Sequence, residues 1–541
     1  MDSPVASRPR LSVAMIVRNV ADLLATTLDS VREIADEIVV LDTGSTDDTA
    51  RIAYARATRL VRRSWDDDFS AARNACLAET RAEWVLWLDA GELISAEDAA
   101  ELRRFVDQEA RADQAYAMLV QVPRFGANIA GEQVARVRLV PRREGIRFHG
   151  RVRETMHQSL ADLGMSIVGI SCRIQRTDRE HDPQTKLRRA RRNIELADLT
   201  IKEQGPTPRM LNCIADALQV LGDNAQSVQF FRQSLLSSTP GSLDMLEAYY
   251  GLLATLDNDP RNRPEQLATC LKALEVFPLD SQLLCAMGGY LQSQGRLDLA
   301  VRAYQTAHQY GEVQPESWHL DEIREIAICC HALALQLQEN SEAARCVLEA
   351  GARDCKWSLR IHKHLIDLYL KLGLKAESLN QVKELPATWR NLDAYRNAVR
   401  GACLAHDRNW ATARGYLESS YQVDPREPLC LRWLTMTLVA LGDHASARMI
   451  ATQWRSVEPM NLELRGFMQL LNLDEHLSVE RDAIPASDAK ALPQVESTNV
   501  RLDPAASEAS PISASERSPP LRDRIRARSS TNQRDSNRST D

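Results

Sequence analysis

The stretch Leu41-Asp42-Thr43-Gly44-Ser45-Thr46-Asp47-Asp48-Thr49 closes the second of two apolar runs and opens a helical pattern, and its reading decides the fold of the first third of the chain. Glu37 to Leu41 (EIVVL) and, upstream, Leu11 to Val17 (LSVAMIV) are compact runs with β-branched content that predict buried strands. Between them Leu23, Leu24, Thr27, Leu28, Val31 and Ile34 recur at helical spacing, so the order strand, helix, strand predicts a parallel pair with a crossover. At the second strand end stand an acid, Asp42, a glycine that can take φ > 0, Gly44, and a Ser45-x-x-Asp48 arrangement that predicts a capped helix start, with Asp47 between them. A carboxylate there can accept an N–H from a nucleotide base while the helix N-terminus faces phosphate. A plain capped turn gives the same pattern.

Outward from this turn the α/β character continues. A helical pattern runs from about Asp48, a short strand is expected near Leu60 to Arg62, another helix over Ala71 to Glu79, and an apolar strand over Trp84 to Leu88 that ends in Asp89. Ala117 to Val122 and Val134 to Val140 alternate rather than run continuously, which predicts a mixed or antiparallel continuation of the sheet, with a closing strand and loop over Arg147 to Glu154. In an open α/β sheet the ligand site lies beyond the C-terminal strand ends, here the loops after Val17, Leu41 and Leu88.

From about residue 185 to 473 strand-like runs vanish and Leu/Ala helical periodicity takes over. An LGxxA pattern recurs at Leu221, Leu372 and Leu441, and Asp424-Pro425 and Glu458-Pro459 stand 34 positions apart, the period of tetratricopeptide helix pairs. Gly295 with Ala300, Tyr304 and Ala307 fits the same scheme, in which small residues let helices approach closely. The resemblance to tetratricopeptide repeats is good over about 210 to 310 and 360 to 470 and weak between. Beyond Leu477 the Ser/Pro/Arg/Asp-rich sequence holds too few apolar residues to offset ordering entropy, so a disordered tail is expected. The expected division is an α/β domain over 10–180, a connecting helix over 181–208, helical repeats over 209–473 and a tail over 478–541.

A net charge of −7 over 541 residues gives no global basic field for nucleic acid. The basic runs Arg136 to Arg153 and Lys186 to Arg192 lack aromatic interleaving and read as solvated, salt-bridged faces. Eleven cysteines, an odd number with no CxxC, suggest neither a disulfide framework nor a zinc set, and a reducing cytoplasm fits them. The N-terminus has no apolar signal region, and no run approaches the roughly 18 apolar residues of a membrane span. His362 and His364 lie two apart and cannot share a helix face, so they predict no metal site. Trp410, Trp433 and Trp454 are expected to fill repeat interfaces.

The segments Leu11 to Asn19 (LSVAMIVRN), Asp36 to Thr49 (DEIVVLDTGSTDDT), Trp65 to Asn74 (WDDDFSAARN), Glu83 to Glu92 (EWVLWLDAGE) and Gly150 to Glu154 (GRVRE) together resemble the family 2 glycosyltransferases of GT-A fold, particularly a bacterial group with tetratricopeptide repeats behind the transferase. The resemblance covers about residues 10 to 200. It implies that Asp42 recognises the base, that Arg73 and Asn74 help hold the nucleotide end of the donor, and that Asp89 lies at its ribose and diphosphate. A guanidinium suits an anionic diphosphate, and a carboxylate at a strand end can bind a hydroxyl or a metal.

Two departures stand out. The family's acidic metal motif usually reads Asp-x-Asp-Glu, whereas this chain has Asp89-Ala90-Gly91-Glu92, and a family His-Glu pair is replaced by Arg153-Glu154. Three readings remain open: a degenerate Mn²⁺ or Mg²⁺ site on Asp89 and Glu92, a metal-independent enzyme, or a transferase-like domain without activity. The favoured one is a charge swap in which Arg153, with Arg151 or Arg147 nearby, supplies fixed positive charge to the leaving diphosphate. Glu154 is the candidate general base. The sequence is thus read as an inverting glycosyltransferase moving a hexose from a UDP-sugar to a protein or peptide acceptor recruited by the repeats, and its rival as a catalytically inactive, repeat-based scaffold. A nucleotidyltransferase is disfavoured because Arg18 and Asn19, rather than a glycine-rich phosphate loop, follow the first strand.

Overall fold

The computed structural model describes residues 9–122, 131–177, 182–257, 259–458 and 461–471. β1 (Leu11–Val17) and β2 (Glu37–Asp42) are parallel neighbours, with Val13 opposite Ile38 and Val17 opposite Asp42, and α1 (Ala21–Val31) is the crossover between them. Both strands are buried almost throughout, which is why their sequences run continuously apolar instead of alternating. α2 (Thr49–Arg56), β3 (Arg59–Arg62), α3 (Phe69–Ala78) and β4 (Trp84–Trp87) complete a parallel half in the order β3-β2-β1-β4.

β5 (Glu92–Leu93), α4 (Ala96–Gln108) and β6 (Gln114–Val122) follow, and β7 (Glu132–Pro141) lies antiparallel to both β4 and β6. After α5 (His157–Asp162), β8 (Ser166–Arg176) runs parallel to β6 and takes β5 on its other edge. The sheet is therefore mixed, as the alternating runs predict. β8 goes beyond the strands expected from the sequence: Val168, Ile170, Cys172 and Ile174 alternate along it, with Cys172 and Ile174 buried and Val168 and Ile170 packed against the core. Where the sequence predicts a closing strand and loop over Arg147 to Glu154, the chain forms a loop closed by one antiparallel bridge between His149 and Thr155 and bent by positive φ at Gly150 (99°) and Arg153 (54°). Two hydrophobic layers flank the sheet, one including Leu24, Leu28 and Leu102, the other Trp87, Phe148 and Leu160.

α6 (Pro183–Gln204) starts at Asp182, whose side chain accepts from the Thr185 N–H at 2.9 Å. Fifteen further helices follow it among the described residues, beginning with α7 (Pro208–Leu221), α8 (Asn224–Ser237), α9 (Leu243–Leu256), α10 (Arg263–Val276), α11 (Ser281–Ser293) and α12 (Leu297–Tyr310), and they form a tetratricopeptide-like solenoid. Small residues admit large ones between neighbours: Gly251 of α9 faces the Phe231 ring and Gly288 of α11 the Tyr304 ring. Trp433 and Trp454 are buried in the core of the later repeats and Trp410 packs against it. All eleven cysteines are free, and no helix among the described residues is long and apolar enough to cross a membrane. The tail over 478–541 lies outside the described residues.

The weakly repetitive stretch after α12 has a physical role. β9 (His319–Leu320) adds to the edge of β7, with Glu132 opposite Leu320 and Gln133 opposite His319, and the Ala135 N–H donates to the Pro315 carbonyl at 2.6 Å. The solenoid is thus joined to the sheet twice, through α6 and again through this strap, before α13 (Ile323–Leu337) resumes the helical series.

The close approach of α11 and α12 can be tested. A Cβ on Gly288 would lie 2.5 Å from the Tyr304 ring, whereas one on Gly289 meets nothing nearer than the Tyr304 hydroxyl at 3.8 Å. Gly288→Ala is expected to cost about 1–3 kcal/mol through overpacking, while Gly289→Ala gains up to about 1 kcal/mol by helix propensity. Urea-unfolding midpoints of the two variants check the opposite signs.

Candidate active site

The Asp42-to-Thr49 turn folds as a clasp between the loops after β1 and β2. Asp42 Oδ1 accepts from the Gly44 N–H (3.2 Å), the Ser45 N–H (2.9 Å) and the Ser45 hydroxyl (2.7 Å), and Gly44 takes φ 99° to allow it. Ser45 Oγ in turn accepts from the Asn19 N–H at 3.0 Å, and Asn19 Oδ1 accepts from the Thr46 N–H at 2.8 Å. The expected Ser45-x-x-Asp48 cap does not form: α2 begins after Asp48, which makes no side-chain cap bond, because the Ser45 hydroxyl is committed to the clasp. Asp47 instead accepts from the Thr49 N–H at 3.0 Å and from the Ala21 N–H, at the start of α1, at 3.3 Å.

A second set of residues meets beyond the C-terminal end of β4. Arg73, on α3, is buried, and its guanidinium lies over the rings of Trp87 (4.7 Å) and Phe148 (5.2 Å). It donates from Nε to Glu154 Oε1 at 2.6 Å and from Nη1 to Asp89 Oδ1 at 3.0 Å. Asp89 Oδ1 also accepts from Trp87 Nε1 (3.2 Å), and Oδ2 accepts from Arg138 Nη2 (3.2 Å). Burial favours the protonated form of Asp89, yet the guanidiniums of Arg73, Arg138 and Arg176 outweigh it and hold the carboxyl well below the usual range. Asn74, next along α3, faces the other way and exchanges hydrogen bonds with the backbone of Phe148.

Glu92 is 1% exposed. Its Oε1 accepts from Arg138 Nη2 (2.6 Å) and Arg176 Nε (3.4 Å), its Oε2 accepts from the Asp89 N–H (3.0 Å), and burial pushes its carboxyl above the ordinary value. A divalent ion needs several oxygen ligands with open lone pairs, and here both acids are wrapped by arginines. Among the described residues no three His, Cys, Asp or Glu side chains converge to hold a metal. Gly91, where the family places its second acid, has φ 96°, and a Cβ there would lie 3.1 Å from Leu23 Cδ1. These residues do not fit a divalent ion.

Arg73, Asp89, Glu92, Arg153 and Glu154 line one cleft of about 760 Å³, closed on its far side by α6, α7, α9 and Trp318 of the strap, whereas Asp42, Gly44, Ser45, Asp47 and Asn74 do not line it. The orientation of Arg153 corrects the charge-swap assignment. Its guanidinium binds Asp216 of α7 and, at 3.2 Å, Glu247 of α9, because the positive φ at Arg153 turns it towards the repeats while the adjacent Glu154 turns towards Arg73. Arg151 binds Glu203 (2.6 Å) and Arg147 donates to His149 (3.2 Å), so neither is aimed at Asp89. The arginines beside Asp89 are Arg73, Arg138 and Arg176. The run over 186–192 is likewise not wholly a solvated face: Arg189 and Arg192 line the cleft, with Arg192 over the Phe69 ring at 4.8 Å. An arginine pair at i and i+2 inside an apolar strand, Arg136 and Arg138, is the sequence signal that marks this wall. Asp216, Glu247 and Arg209 carry no such signal, since only the docking of the repeats brings them there.

Residues 12–142 match the family model described as Glycosyl transferase family 2. A TPR repeat-containing protein of Synechococcus elongatus is 46% identical over 103 residues, 19% of this chain and 26% of that protein. The SPbeta prophage-derived glycosyltransferase SunS of Bacillus subtilis is 24% identical over 230 residues, 42% of this chain and 53% of SunS. The chain therefore spans about a quarter and about half of the length of these two relatives. A crystal structure of a tetratricopeptide repeat protein from Parabacteroides merdae covers 49% of this chain and 98% of its own, at 13% identity and a TM-score of 0.38. The N-terminal α/β domain is a family 2 glycosyltransferase domain, followed by a tetratricopeptide-like helical region.

The Gly91 geometry gives a direct test of the metal question. Gly91→Asp restores the family's acid in sequence but places a side chain at φ 96° against Leu23. It is expected to lower stability by about 1–3 kcal/mol and to create no Mn²⁺ site; calorimetric titration with MnCl₂ and a thermal melt check both.

Proposed function

We propose that the protein transfers a hexose from a nucleotide-sugar, a UDP-sugar, to a protein or peptide acceptor held by the helical repeats. The observation that carries this reading is the meeting of Arg73, Asp89 and Glu154 in a cleft whose opposite wall is built by repeat helices, inside a domain that matches family 2. An acceptor group entering from the repeat side attacks the anomeric carbon, and the bond from that carbon to the diphosphate oxygen breaks with its electron pair leaving on the diphosphate. The acceptor proton passes to Glu154, and because this single displacement takes place opposite the departing diphosphate, the anomeric carbon is inverted. Arg73 holds Glu154 in place through its Nε bond and offers its remaining N–H donors to the phosphates when donor enters. Solenoids present concave surfaces suited to peptide segments, which favours a peptide acceptor. In this reading fixed guanidiniums carry the charge that a divalent ion supplies elsewhere, and the reaction takes place in the cytoplasm.

One observation favours the rival reading of an inactive scaffold: Arg73 is already engaged by two carboxylates. Thermal shifts with a panel of UDP- and GDP-sugars, with and without Mn²⁺, followed by assay of free nucleoside diphosphate, separate the two. A UDP-sugar is expected to raise the melting temperature, and turnover is expected to survive EDTA. Glu154→Gln should lower turnover by about 10²–10⁴-fold while retaining donor binding. Donor binding without any nucleotide release in the presence of acceptors identifies the scaffold, and turnover abolished by EDTA and restored by Mn²⁺ removes the metal-independent mechanism.

A further inference from the structure

Three arginines on the repeat-facing wall of the cleft have no carboxylate at ion-pair distance among the described residues. Arg136, on β7, donates from Nη1 to the Glu316 backbone carbonyl at 2.7 Å. Arg209, on α7, donates from Nε to the Arg153 carbonyl at 3.1 Å. Arg192, on α6, donates from Nη2 to Asn193 Oδ1 at 2.9 Å, and its Nε is buried with no hydrogen-bond partner. Each spends part of its donor set on a neutral oxygen and keeps further N–H groups for the cavity that all three line.

Their surroundings make this arrangement costly without an anion. Burial pushes the Arg136 guanidinium down to about 10, with the neighbouring Arg138, Arg209 and Arg153 adding to the effect and Glu247 opposing it. Arg192 is lowered by burial and by Arg189, with Glu154 opposing. Of the acids lining the cleft, Glu247 is paired with Arg153, while Glu316 is drawn below its ordinary value by its hydrogen bond with His157, 3.5 Å away, and further by Arg136 and Arg209, neither acid lying at ion-pair distance from these arginines. Like charges gathered in a partly desolvated cleft are relieved by a multivalent oxyanion, and a guanidinium presents the planar fork that phosphate oxygens accept.

We propose that Arg136, Arg192 and Arg209 form an anion subsite for a diphosphate group, so that the connecting helix and the first repeat helix supply part of the donor site. This rests on the transferase reading only in naming the donor as the source of the diphosphate. The placement fits: β7 is the antiparallel neighbour of β4, and Arg136 lies two residues from Arg138, which binds Asp89. The solenoid is then a component of the catalytic centre as well as an arm for the acceptor.

Isothermal titration of the full chain with inorganic pyrophosphate in EDTA, and separately with UDP and uridine, tests the subsite. Pyrophosphate and UDP should bind the wild type, and Arg136→Gln and Arg209→Gln should each weaken both by about tenfold or more, with uridine unchanged. Arg136→Lys and Arg209→Lys, which keep the charge and disturb packing less, should fall between. Arg104→Gln, on the exposed face of α4 beside Glu109, controls for net charge and should bind as the wild type does. Pyrophosphate that fails to bind the wild type, or that binds the Arg136 and Arg209 variants with unchanged affinity, overturns the subsite. If pyrophosphate binds as described while no nucleotide-sugar does, the subsite stands and the transferase reading falls.

Discussion

The buried guanidinium of Arg73 holds the centre of the transferase domain together. It lies between Asp89 at the end of β4 and Glu154 in the loop after β7, and over the rings of Trp87 and Phe148. None of these charges could be taken from water alone at tolerable cost, since removing one partner of a buried pair leaves the other unbalanced by about 3–5 kcal/mol. Burial would weaken the Arg73 charge, but the two carboxylates more than restore it and raise its pKa. Three separate pieces of chain are thereby fixed at one point, and the cleft opens from that point.

The loop over 149–155 transmits this constraint to the repeats. Consecutive side chains diverge: Glu154 binds Arg73 inside the sheet domain, and Arg153 binds Asp216 and Glu247 on α7 and α9. The backbone reaches this by taking φ 54° at Arg153, a conformation that costs an L-residue about 1 kcal/mol or more and that the Arg209 bond to the Arg153 carbonyl helps to hold. With β9 joined to β7, the solenoid meets the sheet on both sides of the cleft, so the cleft's width is set by two attachments and not by a flexible linker.

The chemistry of the cleft follows from how its acids are paired with arginines. In a site of carboxylates a divalent ion supplies the positive charge, but here Asp89 and Glu92 are held by Arg73, Arg138 and Arg176, and the φ of 96° at Gly91 strains any side chain placed there. Guanidiniums fixed in a partly dry cleft interact strongly with an entering anion without having to be reorganised, which is the condition for electrostatic stabilisation of a leaving group.

The sequence by itself determined the local and periodic features. The apolar runs at Leu11 and Glu37, the crossover helix, the alternation that makes the sheet mixed, the positive φ of Gly44 and the small-residue spacing of the repeats all follow from neighbours along the chain, and Arg73, Asp89 and Glu154 were picked out by motif. What only the tertiary structure decided was the pairing of charges across long separations. Ser45 satisfies Asp42 and Asn19 instead of capping α2, and Arg153 turns to Asp216 and Glu247 while Arg138 takes the place beside Asp89. A guanidinium's choice of carboxylate depends on which surfaces are buried together, and no spacing along the chain encodes that until the helices of the repeats have closed over the sheet.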